Sequence, residues 1–290
     1  MAHVIKTSTA PAHRQRGIAL VVALWLVILL TIIGSSHARN VRIETRLAHN
    51  QLDIAKARAL AEAGINRAIM ELFVSNVSER WSFDGTVNEF ELDSGRIRAS
   101  IRSATGLIDL NTVESVLLEN VLTQLGVKDG TRQKLTDAVL DWRDKDNLRH
   151  LHGAEDRDYR HAGLEWDARD GPFAAVDELR YVLGMTNEVF VQLAPYLTVF
   201  SGHSGVDLEY APPWLLTVVD GTEEEPGEVD TGKDMSPTGV YHINAWATSA
   251  GGSQASMEVV IRVSPASEVP YMILSWREPA RIEIKSPGLM

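Results

Sequence analysis

Cysteine is absent from the 290 residues, which excludes disulfide scaffolds, thiolate zinc sites, iron–sulfur clusters and cysteine nucleophiles. The compartment stays open, since a Cys-free chain exists on either side of a membrane. Proline is missing over a long interval, with none between Pro11 and Pro172, so no helix there is broken by a lost amide donor. Basic residues are in deficit: 28 Lys+Arg against 39 Asp+Glu give a net charge of -11. That disfavours a general nucleic-acid binder, which needs a basic face to displace phosphate counterions. No Gly-rich phosphate loop, zinc-protease helix motif or nucleophile elbow is present, so an enzyme finds no support in motifs. What the chain has is the balance of folded protein, 44% apolar and 23% charged residues, which excludes a disordered tail.

The charge is unevenly spread. Residues 1–17 hold Lys6, Arg14 and Arg16 and no acid, so this leader is +3 and the remainder is -14. Next comes Ile18 to Ile33, sixteen residues whose only polar member is Thr31, extended to nineteen by Gly34-Ser35-Ser36. That is just long enough to cross a bilayer as a helix. A secretory signal would place a small-residue cleavage site and a turn after the apolar run. Here the sequence continues in Ala, Leu, Arg, Lys and Glu, which predicts one helix from about Ile18 to about Val74, roughly 85 Å long. Its second half is amphipathic, with Ala48, Leu52, Ala55, Ala59 and Ala63, then Ile65, Ile69, Leu72 and Phe73, on the expected buried stripe. Arg39, Arg42 and Arg46 match the leader's cations, so charge alone does not orient the span. An uncleaved signal anchor is one reading of this N-terminus.

Gly95 to Arg102 alternates apolar and polar residues and reads as a half-buried strand, followed by Leu107 to Asn111. Val240 to Ser249 and Ser256 to Val263 flank Ala250-Gly251-Gly252-Ser253 and predict an antiparallel hairpin. This alternation puts His242, Asn244 and Glu258 on the solvent face. Tyr271, Ile273, Leu274 and Trp276 suggest a closing strand. Between the strands, Leu110 to about Leu197 reads as helices, including Ser115 to Gly126, Thr131 to Asp144, Ala175 to Gly184 and Asn187 to Leu197. The order helix, strand, helical stretch, strands predicts an α+β fold, in which a long N-terminal helix packs on a small antiparallel sheet and a large α-domain is inserted. Turns at Leu125-Gly126-Val127 and Leu183-Gly184-Met185 look like helix-hairpin-helix units. From Asp109 to Phe200, however, 10 Lys+Arg face 17 Asp+Glu, so a phosphate backbone would be repelled. No nucleic acid is expected, and these units read as packing elements for protein contacts.

The densest chemistry is Asp137 to Asp158, with acids at 137, 141, 144, 146, 155, 156 and 158. Oxygen donors clustered around a polar loop suit calcium. An EF-hand started at Asp144 fails at Leu148 and at Arg149, where glycine is required. A solvated loop balanced by Arg143, Lys145, Arg149 and Arg157 is the plain alternative. His150 and His152 raise zinc, but alternate histidines among surplus carboxylates read better as exposed polar side chains. Asp220 to Asp234, rich in Gly, Pro and like charge, reads as an exposed loop.

Arg16-Gly17 directly before the apolar run resembles the class III signal of type IV pilins and type II secretion pseudopilins. The resemblance implies cleavage between Gly17 and Ile18 by a prepilin peptidase and N-methylation of Ile18. In most members the fifth mature residue is a Glu that meets the N-terminal amine of a neighbouring subunit; here it is Val22. A carboxylate without that partner is costly in a bilayer, so its absence suits a filament tip and resembles the K-type minor pseudopilins. The run Asp137 to Asn147, then Gly153 to Arg160 and Gly171 to Val199, closely resembles the α-domain of that type, whose members can bind calcium in this region. Carried over, the resemblance makes Asp141, Asp144, Asp146, Glu155, Asp156 and Asp158 candidate ligands of a structural calcium. It implies a leader (1–17), a transmembrane helix (18–36), a periplasmic helix with the first strands (37–108), an inserted α-domain (109–200) and a remaining pilin-like β region (201–290). It also implies a non-enzymatic, single-pass inner-membrane protein with its bulk in the periplasm. Its expected partners are the I-type and J-type minor pseudopilins, other pseudopilins and the inner-membrane secretion platform. A type IV pilus minor pilin is the neighbouring alternative.

Overall fold

One helix, α1 (Arg16–Glu71), runs unbroken for 56 residues, as a sequence without proline in this interval allows. The structure, a computed structural model, describes residues 16–76, 78–219, 239–264 and 268–278, by backbone alone at 16–19, 34 and 36–43. The acidic loop Asp220 to Asp234 and the leader up to residue 15 lie outside the described residues. Gly17 and Ile18, the expected cleavage pair, are helical in backbone at the start of α1.

The chain forms two units, Met1–Asp53 and Ile54–Met290. In the first, the large apolar side chains from Leu20 to Ile33 are 43% to 73% exposed, Val22 among them. Among the described residues no helix is long and apolar enough to cross a membrane.

In the second unit, α1 buries Ala57, Leu60, Ala61, Ile65, Ala68, Ile69 and Leu72 against a sheet. This stripe is rotated from the expected one: Ala48, Leu52, Ala55 and Ala59 are exposed. The reason is Gly64, where an added Cβ would lie 2.8 Å from Ile97 Cγ2 and 3.0 Å from Ala245 Cβ. Helix and sheet meet closely there, with Leu60, Ala61 and Ala68 at i−4, i−3 and i+4 on the same buried side.

The sheet comprises β1 (Asp84–Leu92), β2 (Gly95–Ser103), β5 (Gly239–Ser249), β6 (Gln254–Val263) and β7 (Tyr271–Arg277), ordered β1-β2-β5-β6-β7 and antiparallel throughout. Ile101 opposes Ile243, and Ile243 opposes Val259, on the face that α1 covers. The β5–β6 hairpin turns as expected, with Ser249 N–H donating to Ser253 O at 2.8 Å and Gly252 in the left-handed region at φ 86°.

Between β2 and β5 the chain builds a separate core. It contains β3 (Ile108–Asp109) paired in parallel with β4 (Leu197–Thr198), α2 (Ser115–Gln124), α3 (Asp129–Arg143), α4 (Asp156–His161), α5 (Asn187–Leu193) and α6 (Pro213–Val219). Gly126 (φ 76°) stops α2, its following amide, Val127 N–H, returning to Leu122 O at 3.0 Å. Val176–Tyr181, expected as α-helix, is instead a 3-10 segment. Leu118, Leu122, Leu135, Val139, Trp142 and Leu193 are buried together, joined by Leu215 and Val218 of α6. Fully burying each such side chain contributes about 1.5–3 kcal/mol.

The solvent-face expectation for His242 fails. Phe200, just past β4, packs with Val240, Val260 and Leu274 over that end of the sheet's second face. His242 is buried there, its Nε2 3.0 Å from Thr198 Oγ1 and its Nδ1 3.8 Å from Glu258 Oε1. The neighbouring His242 side chain, the largest effect, and Arg277 hold Glu258 below the usual carboxylate range, against the burial that would raise it. Arg277 also reaches Asp177 Oδ2 at 2.8 Å, tying β7 to the helical region.

Candidate metal centre

Two carboxylates one turn apart start the site. Asp141 is in the last turn of α3 and Asp144 caps its C-terminus, so i, i+3 spacing puts both on one side of the helix. The chain then loops through 145–155 and returns at α4, whose first residue is Asp156. Packing fixes the return: Trp142 lies 5.8 Å from Tyr159 and 6.1 Å, stacked, from Phe173, centroid to centroid. Tyr159 is fully buried and its hydroxyl accepts Leu183 N–H at 3.1 Å. The loop is held by carboxylates, with Asp137 Oδ2 accepting His152 N–H at 2.9 Å and Asp141 Oδ1 accepting His150 N–H at 3.1 Å.

Among the described residues two groups have potential ligand atoms within 4.8 Å of one another: Asp141, Asp144 and His150, and Glu155, Asp156 and Asp170. Four of the six expected ligands fall in these groups, Asp141 and Asp144 in one and Glu155 and Asp156 in the other. Asp146 and Asp158 are in neither group. Asp146 is exposed and its Oδ1 accepts Leu148 N–H at 2.8 Å. Asp158 accepts Glu155 N–H at 3.1 Å and pairs with Arg149 at 3.2 Å.

Sequence reasoning misses two members. His150 is exposed, as expected, but its Nδ1 meets Asp141 Oδ1 directly. Asp170 stands outside the acidic run, in the left-handed backbone region at φ 52°. Asp and Asn tolerate this conformation better than most residues, a cue legible only once the loop is known to turn there.

The plain alternative, an acidic loop neutralised by neighbouring arginines, holds for only part of the loop. Arg143 turns inward and donates to Leu110 O at 2.6 Å and Val113 O at 2.7 Å. Arg149 goes to Asp158, and Arg160 reaches Asp156 Oδ2 at 3.1 Å and Asp167 at 2.9 Å. Among the described residues no Lys or Arg pairs with Asp141, Asp144, Glu155 or Asp170. The buried atoms Asp141 Oδ2, both Glu155 carboxylate oxygens, Asp156 Oδ1 and Asp170 Oδ1 have no hydrogen-bond partner. Buried carboxylate oxygens without partners are costly, and crowding shows in their acidities. Glu155 is pushed up to about 7, first by burial and then by Asp141, Asp144, Asp170 and Asp156. Burial also raises Asp144 and Asp170. Unpaired oxygens in a negative pocket are the donor set a divalent cation requires, so the residues present fit calcium.

The chain is similar to known proteins in sequence and in fold. A family model described as "Type II secretion system (T2SS), protein K" matches residues 100–202, and one described as "PilX N-terminal" matches residues 16–66. Type II secretion system protein K of Aeromonas hydrophila is 28% identical over 212 residues, 64% of this chain and 63% of that protein. Its namesake in Pseudomonas aeruginosa is 26% identical over 239 residues, 74% of this chain and 71% of the relative. The match thus spans less than two thirds of the length of the Aeromonas relative. A chain in the crystal structure of the GspK–GspI–GspJ complex from the enterotoxigenic Escherichia coli type 2 secretion system shares the fold. Its TM-score is 0.53 at 17% identity, over 83% of this chain and all of that one. Taken together, the family model over residues 100–202 and the curated relatives show that this chain is similar to type II secretion system protein K, the resemblance its sequence carries.

Proposed function

We propose that the chain is a K-type minor pseudopilin of the type II secretion system, anchored by α1 as a single span in the inner membrane with its bulk in the periplasm. It joins I-type and J-type minor pseudopilins at the tip of the pseudopilus, starts assembly on the inner-membrane platform, and so supports export of folded proteins. The role is structural, without catalysis. The observation that carries this reading is α1 itself. One helix bears an uncovered apolar run, Leu20 to Ile33, and goes on to form one face of a folded core at Leu60 to Leu72. In the sequence the run extends from Ile18 to Ser36, nineteen residues, and an apolar helix of that length stays in lipid until other helices bury it, so insertion and later packing into a helical filament would follow from the same segment. Val22 leaves the fifth mature position without a carboxylate, which suits a subunit with no neighbour above it. The helical stretch between β2 and β5 is then an α-domain inserted into a pilin-like sheet. Within it, Glu155, Asp156 and Asp170, beside Asp141 and Asp144, hold a structural calcium that supplies the positive charge their oxygens lack.

Mass spectrometry of the mature N-terminus tests the processing step. Methylated Ile18 is the expected result; an intact leader would leave a plain membrane anchor. A type IV pilus minor pilin would share the processing, and the PilX match over residues 16–66 covers just that segment.

A further inference from the structure

The two edges of the five-stranded sheet are built differently. At the β1 edge, Asp84, Glu89 and Glu91 place three acids on one strand, and the register shifts between Asp84 and Val87. Two main-chain groups there are taken by β1's own side chains: Asp84 Oδ1 accepts Thr86 N–H at 2.8 Å, and Asn88 Nδ2 donates to Thr86 O at 3.3 Å. Charge and irregularity are the usual protection of an edge against pairing with another chain. At the opposite edge β7 reads Tyr271-Met272-Ile273-Leu274-Ser275-Trp276-Arg277, with no charge before its last residue. Among the described residues β7 pairs with β6 alone, and no side chain bonds its main-chain groups. Its register also shifts, between Val260 and Ile261, but Leu274 at that point packs inward on Val240 and Val260.

Strand alternation sorts what a further strand would meet at this edge. On the side of α1, Tyr271 lies 6.4 Å from Phe73 of that helix, ring centroid to ring centroid. Ile273 and Trp276, opposite the core residues Ile261 and Val259, continue this shelf and are 47% and 41% exposed. On the other side are Met272, 61% exposed, and Arg277, with Arg262 of β6 opposite Met272. Arg262 is exposed, and among the described residues no acid pairs with it. An apolar shelf on one side and an unpaired cation on the other fit a strand that alternates apolar with acidic residues. We propose that β7 is an acceptor edge, to which an extended segment of another protein, alternating apolar residues with Asp or Glu, adds as a sixth strand. Its main chain continues the ladder, its apolar residues cover Tyr271, Ile273 and Trp276, and its acids face Arg262 and Arg277. Neither the membrane span nor the acidic loop enters this site, so it stands apart from the preceding reading.

The test follows amide hydrogen exchange of β7 in the full chain, held in mild detergent. The probes are two synthetic peptides as long as β7, acetylated and amidated, one alternating Glu with Val and the other Lys with Val. The expected result is protection of Met272 to Trp276 by the Glu–Val peptide. The Lys–Val peptide should bind about tenfold more weakly, because two cross-strand charge pairs change sign between them. Ile273→Lys should abolish the protection, and Arg262→Glu should turn the preference toward the Lys–Val peptide. Both substitutions alter exposed side chains, and an unchanged melting temperature shows that each variant folds. No protection by either peptide at millimolar concentration overturns the proposal, as does equal protection by both. Protection of β7 before any peptide is added overturns it as well, since the edge would then be covered already, by a second copy or by residues 279–290.

Discussion

Gly153 lies so close to Asp141 that a Cβ on it would sit 1.9 Å from Oδ2 and 2.8 Å from Cγ. The carboxylate cannot simply swing aside, because Asp141 is fully buried and its other oxygen is bound to His150. Gly153→Ala should therefore turn Asp141 out of the ligand group. The expected result is a loss of about 1–3 kcal/mol of stability, the usual cost of overpacking, together with loss of the rise in melting temperature on adding calcium. A variant that calcium still stabilises like the native chain would remove Asp141 from the site.

The acidity of Glu155 sets a pH dependence for the metal-free chain. Its folded pKa, about 7, stands above the ordinary 4.5, so the folded state holds the proton more tightly than the unfolded one. This contribution is fully present below about 4.5 and lost as pH rises through about 7. With chelator present, denaturant unfolding should show stability falling over that window by up to roughly 3 kcal/mol from this group. Glu155→Gln should flatten the fall and exceed the native chain in stability at pH 8, while abolishing calcium binding. A native chain whose metal-free stability is flat across the window would contradict the buried, unpaired carboxylate.

A ligand bound only by the folded chain stabilises it, by about 2.7 kcal/mol at a hundredfold excess over Kd. Adding chelator should therefore lower the melting temperature at pH 7.5, and added calcium should restore it. An unchanged melting temperature would count against a structural calcium.

His242 joins the five-stranded sheet to β4 through Thr198 and lies beside Glu258 of the neighbouring strand β6. His242→Ala should leave the buried Thr198 hydroxyl without this partner and cost about 1–3 kcal/mol, read as a lower urea midpoint with unchanged slope. Asn244→Ala, two residues along the same strand and only partly buried, should shift the midpoint far less.

Gly64 is the close-approach point of α1 on the sheet. Gly64→Val should force Ile97 and Ala245 apart and destabilise by about 1–3 kcal/mol. Asn66→Val, on the exposed side of the same turn, is the control for valine in a helix and should be nearly neutral.

Periodicity carries much of this fold. The Pro-free interval marks the long helix, and alternation marks β2 and the β5–β6 hairpin at nearly their observed bounds. The strand β1 escapes this reading, because Asp84 to Leu92 carries few apolar residues on an edge strand and alternates weakly. The short helix α6 escapes it too, since Pro212-Pro213 reads as a breaker although proline is favourable at a helix start. Alternation misjudges His242 because it reports which face a residue takes, and says nothing of what a distant segment such as Phe200 later lays over that face. The candidate site is half legible for a similar reason. Asp141, Asp144, Glu155 and Asp156 can be read as an acidic run, whereas Asp170 enters through a loop closed by the Trp142–Phe173 stack, and His150 through one backbone bond to Asp141.

Membership of a pseudopilus tip is tested most directly by co-purification. The full chain, co-expressed with the I-type and J-type minor pseudopilins of its own genome, is extracted in mild detergent, isolated through a tag on this chain and weighed by native mass spectrometry. A complex containing one copy of each of the three is the predicted result. Recovery of the chain alone, or with type IV pilus subunits in place of those partners, would contradict it.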